Sequence, residues 1–382
     1  MIAKLEKKAK KKHTRCYAAG LFDVDERLSK LTLLGDPLVE LKTMIDWEAF
    51  RGDIEKAREK VREQPRKSAA GAKPIDAVLM FKTVVLQQLN NLSDDRIEYQ
   101  IRDRLSFMRF LGLNLEDRIP DAKTVWLFRE TLKRAGLAEV LFKRFDEQLA
   151  AKGLIAKGGQ MIDATFVEVP KGRNSREDNA QLKAGEIPQA WKKDDAATVN
   201  MRRQKDTDAR WTKKNNETHF GFKNHINADA QHKLIREFEV TAASVHDSQV
   251  FDALLDRGTE ENANKRAVFA DSAYRSKEQQ ARLEAAGIES QVCEKGSRGY
   301  PLTEEQKLAN HQKSKTRSRV EHVFGAQSQM GGHLVRTIGI ARARVKIALM
   351  NLAYNMCRYV LLCKRQIQAP DGFDGRGACA VA

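Results

Sequence analysis

Three carboxylates in the second half of the chain stand out from the residues around them. Asp163 interrupts an apolar run, 161–167, whose two faces are both mostly apolar, as in a central strand covered on both sides. Asp271 ends a second short apolar run, and Glu321 follows Arg317 by one turn on a predicted helix. An isolated buried charge is costly, so Asp163 must be paired, protonated or bound to a metal. Taken singly, each carboxylate also fits a capping or ion-pairing role.

The predicted elements bring these carboxylates together. A strand, helix, strand series at 266–293 indicates parallel pairing, and a hairpin at 218–241 precedes it. With the hairpin at the edge, the strand of Asp163 lies beside the strand that ends on Asp271, and the late helix carries Glu321 across both. Crowded carboxylates repel each other unless divalent cations lie between them, and hard oxygen ligands select Mg²⁺ or Mn²⁺. Two such ions suit in-line phosphoryl transfer.

The composition indicates a polyanionic partner. The net charge is +16 and the isoelectric point is about 9.6, a balance for which nucleic acid is the commonest partner. The five cysteines form no CxxC pair, so they suggest neither a zinc ribbon nor a disulfide framework, and they fit a reducing cytoplasm. The apolar stretch 345–363 carries Lys346 and Arg358, which argues against a membrane span.

The chain divides into four predicted parts. Residues 1–30 are expected to form a basic, mobile tail, and 31–153 an all-helical N-terminal domain that binds DNA. Residues 156–365 are expected to form an α/β domain with a mixed sheet flanked by helices, and 366–382 a disordered tail. Two adjacent helices in the second part permit a helix-turn-helix interpretation, but their spacing is not specific and ordinary helix packing is the favoured explanation.

Several local expectations belong to the α/β part. Residues 171–216 are strongly polar, so we expect an insertion that is extended or partly disordered. Its Trp211 either packs back on the core or stacks on a base of bound DNA. Asp247 precedes a predicted helix and is expected to be its N-cap rather than a metal ligand. Tyr274, directly after a strand end, is expected to be a structural turn residue.

At these residues the chain resembles the IS5 family of bacterial insertion-sequence transposases, in the DDE superfamily with its ribonuclease-H-like core. The resemblance rests on 35–153, on Met161-Ile162-Asp163-Ala164-Thr165, on 208–223, on Ala270-Asp271-Ser272-Ala273-Tyr274 and on 317–324. It implies that Asp163, Asp271 and Glu321 hold the metal ions and perform catalysis. It also implies that Arg317 is the arginine of a Tyr, Arg, Glu, Lys signature.

The sequence departs from that signature at two positions. Ser314 stands at the position of the tyrosine and Ser328 at that of the lysine. Lys313, Lys315 or Arg336 would then supply the missing phosphate contact.

The resemblance implies an enzyme that cleaves double-stranded DNA at terminal inverted repeats and joins the 3′ ends to target DNA, using Mg²⁺ or Mn²⁺. Such a protein acts as an oligomer, at least a dimer on DNA, in the bacterial cytoplasm at the nucleoid. The candidate DNA-contacting residues are Arg317, Lys313, Lys315, Trp211, Lys223 and Arg275. Two alternatives remain: a DNA-end-binding protein or repressor with weakened catalysis, and a metal-dependent nuclease without strand transfer.

Overall fold

The structure is a computed structural model that describes most of the chain. The described residues are 20, 22–62, 73–154, 159–170, 174–214, 216–256, 267–296 and 299–368. Most of the two expected tails lies outside these ranges. Inside them, a helix at Asp23–Leu33 crosses the expected boundary at residue 30, and the last helix continues to Gln368.

The N-terminal part is helical, as expected. Its helices are α1 (Asp23–Leu33), α2 (Pro37–Met44), α3 (Arg51–Val61), α4 (Ala77–Leu89), α5 (Asp94–Asp103), α6 (Leu105–Leu111), α7 (Ala122–Ala135) and α8 (Leu137–Ala151). Helix α4 is buried on nearly every side because its residues are apolar all round. Helix α5 begins at Ser93, whose hydroxyl accepts from the backbone N–H of Arg96, and α7 ends at Gly136 in the left-handed conformation.

The second part is built on a six-stranded mixed sheet. Its strands are β1 (Gln160–Glu168), β2 (Arg210–Lys214), β3 (Glu217–Asp229), β4 (Ile235–Ala242), β5 (Ala267–Phe269) and β6 (Glu289–Ser290). Strand β1 is central, antiparallel to β3 on one side and parallel to β5 on the other, and β5 is parallel to β6. One edge of β3 pairs first with β2 and then with β4. The predicted neighbouring positions of the strand that contains Asp163 and the strand that precedes Asp271 are confirmed.

Two glycines let the central strands approach closely. Gly159, just before β1, has a φ of +114°, and a Cβ there would lie 2.9 Å from the carbonyl oxygen of Ala267 on β5. Gly221 on β3 has a φ of +153°, and a Cβ there would lie 2.3 Å from the carbonyl oxygen of Val167 on β1. Both positions require glycine because a side chain would push the neighbouring strand away.

Helices cover both faces of the sheet. They are α9 (Arg176–Lys183), α10 (Ala196–Arg203), α11 (Phe251–Leu254), α12 (Lys277–Ala285), α13 (Glu304–Arg317), α14 (Glu321–Gln329) and α15 (Ile340–Gln368). One face, with Met161 and Val167, shares a continuous apolar core with α15 and the N-terminal helices. The other face, with Ile162, packs on a smaller cluster that includes Phe251 of α11 and Leu283 of α12. This arrangement is consistent with a ribonuclease-H-like α/β fold.

The expectation for the polar insertion was wrong in its described part. Residues 174–214 contain α9, α10 and β2 rather than extended chain. Ser175 and Asp178 form a reciprocal capping box at α9, and Asp195 caps α10. Trp191 is buried, and Asp206 accepts from the backbone N–H of Gly339 at 3.0 Å. Local capping and these long-range contacts order a segment whose low apolar content suggested disorder.

The long helix expected around Glu321 is interrupted. A 3₁₀ turn at Ser318–Val320 separates α13 from α14, and Glu321 is the first residue of α14. Three residues in 3₁₀ geometry rotate the chain by about 360°, compared with about 300° in an α-helix, so Glu321 is turned by about 60° from the expected stripe. No helix in the described ranges has the length and apolar character needed to cross a membrane.

Candidate active site

Two of the three predicted carboxylates meet at the centre of the sheet. In the parallel register of β1 and β5, Met161 lies opposite Phe269. Continuing this register by two residues brings Asp163 level with Asp271, the second residue after β5. Neighbouring strands lie about 4.8 Å apart, so the two carboxylates act on each other electrostatically. The predicted juxtaposition of these strands therefore places Asp163 beside Asp271.

Backbone N–H groups orient both carboxylates. Asp163 accepts at Oδ1 from the N–H of Ala164 at 2.8 Å, and Asp271 accepts at Oδ1 from the N–H of Ala273 at 2.8 Å. Asp271 thereby caps a 3₁₀ turn at Ser272–Tyr274. Each aspartate retains a second oxygen that faces away from these local bonds. The second oxygen of Asp163 accepts from Nη1 of Arg317 at 3.0 Å.

The surroundings of Asp163 oppose its ionisation. Burial raises the pKa of its carboxyl above the usual range, and the neighbouring Asp271 raises it further. The N–H of Ala164 and the guanidinium of Arg317 act in the opposite direction, with a smaller contribution from the exposed Lys214. A cation is needed here to keep two adjacent carboxylates ionised, and Arg317 supplies one positive charge for two negative ones.

Glu321 is not part of this cluster. Its side chain is exposed at the start of α14, and Arg317 pairs with Asp163 instead of forming the i, i+4 pair with Glu321. Among the described residues, no group of three carboxylate, histidine or cysteine side chains is close enough to hold a metal ion. The described structure therefore does not bring the three predicted carboxylates together.

The two departures from the signature face protein groups. Ser314 lies on α13 with its Oγ 3.8 Å from Sγ of Cys293. The hydroxyl of Ser328 is hydrogen-bonded to Nε2 of His333. Of the three predicted substitutes, Lys315 and Arg336 have exposed side chains, whereas Lys313 is half-buried and reaches the carbonyl oxygen of Val292 at 3.5 Å.

Lys223 is not positioned to contact DNA, which corrects the prediction. Its side chain is buried, and its Nζ donates to the carboxylate of Asp247 at 2.7 Å and to the carbonyl of Val245 at 2.7 Å. Asp247 is also not the expected N-cap, since the side chain of His246 accepts from the N–H of Ser248. Helix α11 and its neighbours cover this face of β3, so the polar residues of the strand are buried.

His225 completes this buried group and was missed by the sequence analysis. Its Nδ1 lies 3.9 Å from the carboxylate of Asp247, and its Nε2 is 2.8 Å from Oγ1 of Thr241. Burial, helped by Lys223 and opposed by Asp247, lowers the pKa of His225 to about 4. The sequence did contain a signal: lysine and histidine two residues apart on a strand point to the same face.

Two other predicted DNA contacts are engaged with protein groups. The ring of Trp211 stacks on Phe220 with centroids 4.8 Å apart, so the indole packs back on the core. Arg275 donates to the carbonyl of Val292 at 3.3 Å and lies 3.9 Å from the carboxylate of Glu294. Tyr274 is buried, as expected of a structural turn residue.

The donor set at Asp163 and Asp271 fits a divalent cation. Both ligands are hard carboxylate oxygens, and the local excess of negative charge is only partly neutralised by Arg317. Glu321, the third predicted ligand, has an exposed side chain.

Comparisons with known proteins assign the chain to a family. Residues 156–356, more than half of the chain, match the model of a transposase DDE domain, and residues 25–131 match the model of a further transposase domain, DUF772. No solved structure matches the chain. Members of this family bind DNA, act as nucleotidyl transferases and generally use divalent metal ions. The chain belongs to the DDE-domain transposases and is an insertion-sequence transposase of the DDE superfamily.

Proposed function

We propose that this transposase cleaves DNA at the terminal inverted repeats of an IS5-type insertion sequence and joins the freed 3′ ends to target DNA. The observation that carries the proposal is the pairing of Asp163 and Asp271 at adjacent strands. Each is oriented by a backbone N–H that bonds to its Oδ1, and in Asp163 the other oxygen accepts from Arg317. Such pre-orientation suits the in-line displacement of one phosphodiester oxygen by another.

We assign Asp163 and Asp271, with Glu321 as the third carboxylate, to the binding of Mg²⁺ or Mn²⁺, with two ions in the full site. A divalent ion bound there supplies activation of the attacking oxygen and charge stabilisation of the leaving oxygen. Arg317 holds Asp163 in place through the 3.0 Å ion pair. Once Asp163 has another cationic partner, the guanidinium fork of Arg317 is free to contact a phosphate.

The DNA partner includes both terminal repeats and target DNA. The net charge of +16 supports extensive phosphate contact. Lys315, near the end of α13, has an exposed side chain close in sequence to Arg317. Because two ends of the element must be held together during joining, we propose that the protein acts as at least a dimer on DNA.

Strand cleavage and joining on a labelled duplex carrying an end of the flanking element tests the proposal. The reaction is compared in Mg²⁺, Mn²⁺, Ca²⁺ and EDTA. Cut and joined products that appear with Mg²⁺ or Mn²⁺ and vanish with EDTA support it. Cut products without any joined molecules would instead identify a nuclease that lacks strand transfer.

A second candidate is a DNA-end-binding protein with weakened catalysis. The exposed Glu321, together with serines at positions 314 and 328 that contact protein groups, favours it. If the wild-type protein binds the end but cuts it with none of the metals, this candidate replaces the first. Asp163→Ala separates the two candidates. In an active enzyme this variant loses strand cleavage and keeps DNA binding, whereas in the second candidate it causes no measurable change in cleavage.

A further inference from the structure

A cavity outside the acidic site carries a concentration of positive charge. It lies between α4, α7 and α15 and has a volume of about 120 Å³. Its charged lining comprises four cations, Arg129, Lys133, Arg342 and Lys346, and one carboxylate, Glu130. The cavity therefore lies between helices of the region that matches DUF772 and α15, the last helix of the region that matches the DDE domain.

The carboxylate of this cavity is already neutralised. Glu130 accepts from Nε of Arg342 at 2.6 Å and from its Nη2 at 3.2 Å, and Lys133 bonds to the same carboxylate. Arg129 is paired outside the cavity, since its Nη2 donates to Asp94 at 2.6 Å. Three of the four cations are therefore committed to acidic partners.

Lys346 differs from the other three cations. No hydrogen bond or ion pair joins its ammonium group to another described residue, although most of its side chain is buried. Burial lowers its pKa, and the two charged groups that act on it, Arg129 and Arg336, lower it further because both are cations. A largely buried ammonium group that has cations beside it and no ion-pair partner of its own is stabilised by an anion.

The size and rim of the cavity restrict the anion. A volume of about 120 Å³ holds several water molecules but is smaller than the roughly 300 Å³ at which pockets begin to enclose a whole small-molecule ligand. A phosphate group fits, and the rest of a nucleotide must remain outside. Trp126 lines the cavity with 43% of its surface exposed, which offers an aromatic face to an adjoining sugar or base.

We propose that this cavity binds one backbone phosphate of DNA, with Lys346 as the central contact and Trp126 against the adjoining nucleotide. The inference rests on the DNA partner of the proposed function but not on the reaction. A phosphate held there contacts α7 and α15 together. It thereby places the surface shared by the N-terminal helices and α15 against the duplex.

The test measures binding to an element-end duplex in EDTA over a series of salt concentrations. Lys346→Met should reduce the slope of log affinity against log salt by about 0.9, the value for one lost phosphate contact. The dissociation constant at low salt should rise by about tenfold. Lys346→Arg, which keeps the charge, should retain the wild-type slope.

Two further variants separate the cavity from general charge effects. Lys56→Met removes an exposed lysine on α3 and should leave slope and affinity close to those of the wild type. Trp126→Ala should weaken binding without changing the slope, because stacking releases no counterions. Lys346→Met should melt no lower than the wild type, since it removes a buried charge without leaving an unpaired carboxylate.

An unchanged slope in Lys346→Met, or an equal loss in Lys56→Met, would overturn the proposal. A free anion as the occupant is tested by melting the protein with inorganic phosphate and no DNA. Stabilisation that Lys346→Met abolishes, combined with an unchanged DNA slope, assigns the cavity to free phosphate and likewise overturns it. Because EDTA prevents cleavage, a failure of the proposed reaction does not affect this result.

Discussion

Two aspartate–cation pairs lie on opposite faces of the same sheet and differ in their charge balance. Asp163 pairs with Arg317 at 3.0 Å and Asp247 with Lys223 at 2.7 Å. Alternation along β1 and β3 places Asp163 on the face covered by α13 to α15, and Lys223 on the face covered by α11. Both pairs are largely buried.

The two pairs differ in the ionisable group that lies beside each of them. Asp271 adds a second negative charge beside Asp163, so that site has an excess of negative charge and can accept a cation. His225, with its pKa lowered to about 4, is neutral beside Asp247, so that pair is balanced. Burial of an aspartate therefore does not by itself distinguish the two sites, whereas the net charge of its immediate neighbours does.

The largest expected contrast comes from replacing each aspartate by asparagine. Asp163→Asn should lower strand cleavage by about a thousandfold or more, because it removes a proposed metal-binding oxygen. Its free energy of unfolding should change by less than about 1 kcal/mol, since Arg317 stays partly exposed to water. Gel-based cleavage and urea unfolding measure the two effects. Normal cleavage by this variant would remove Asp163 from the proposed mechanism.

Asp247→Asn should affect stability instead. The free energy of unfolding should fall by about 3 kcal/mol, because the buried ammonium group of Lys223 loses its counter-charge. The double variant Lys223→Met with Asp247→Leu should recover most of this loss, since neither charge remains buried. Urea unfolding of the wild type and the variants provides the measurement. A stable Asp247→Asn protein that no longer cleaves DNA would place Asp247 in the active site.

Because His225 is neutral in the folded protein, the free energy of unfolding should depend on pH. Its folded-state pKa, about 4, lies below an unfolded value of about 6.5, so the unfolded chain binds the proton more readily. The contribution of the neutral His225 to the free energy of unfolding is present above pH 6.5. As the pH falls towards 4, about 2 to 3 kcal/mol of it is lost.

Unfolding of the wild type and His225→Gln at pH 7, 5.5 and 4.5 isolates this contribution, because other titrating groups are common to both. The variant should lose less stability on acidification. Parallel losses in the two proteins would contradict the assignment of a neutral, buried histidine.

The smallest expected effect comes from Arg317→Gln. In EDTA the free energy of unfolding should fall by about 1 kcal/mol, because Asp163 and Asp271 then repel each other without a cation between them. Ca²⁺ should raise the melting temperature of the variant more than that of the wild type, since the arginine no longer competes for Asp163. An equal response to Ca²⁺ would show that Arg317 and a metal ion do not share this carboxylate.

The sequence by itself determined the helical N-terminal part, the mixed sheet and the adjacency of Asp163 and Asp271. These predictions rest on local signals, namely apolar periodicity, caps such as Ser93, and strands that end on an aspartate. The order of strands followed because short connections permit few topologies. The family resemblance added the role expected of each carboxylate.

Only the tertiary structure decided which polar residues are open to a ligand. Lys223 and Asp247 are 24 residues apart and pair because α11 covers their face of β3, a contact that no local pattern encodes. The 3₁₀ turn before Glu321 and the ordered insertion containing Asp206 likewise depend on packing between distant segments. Periodicity identifies the face of an element on which a residue lies, whereas burial and charge balance depend on the elements that pack against that face.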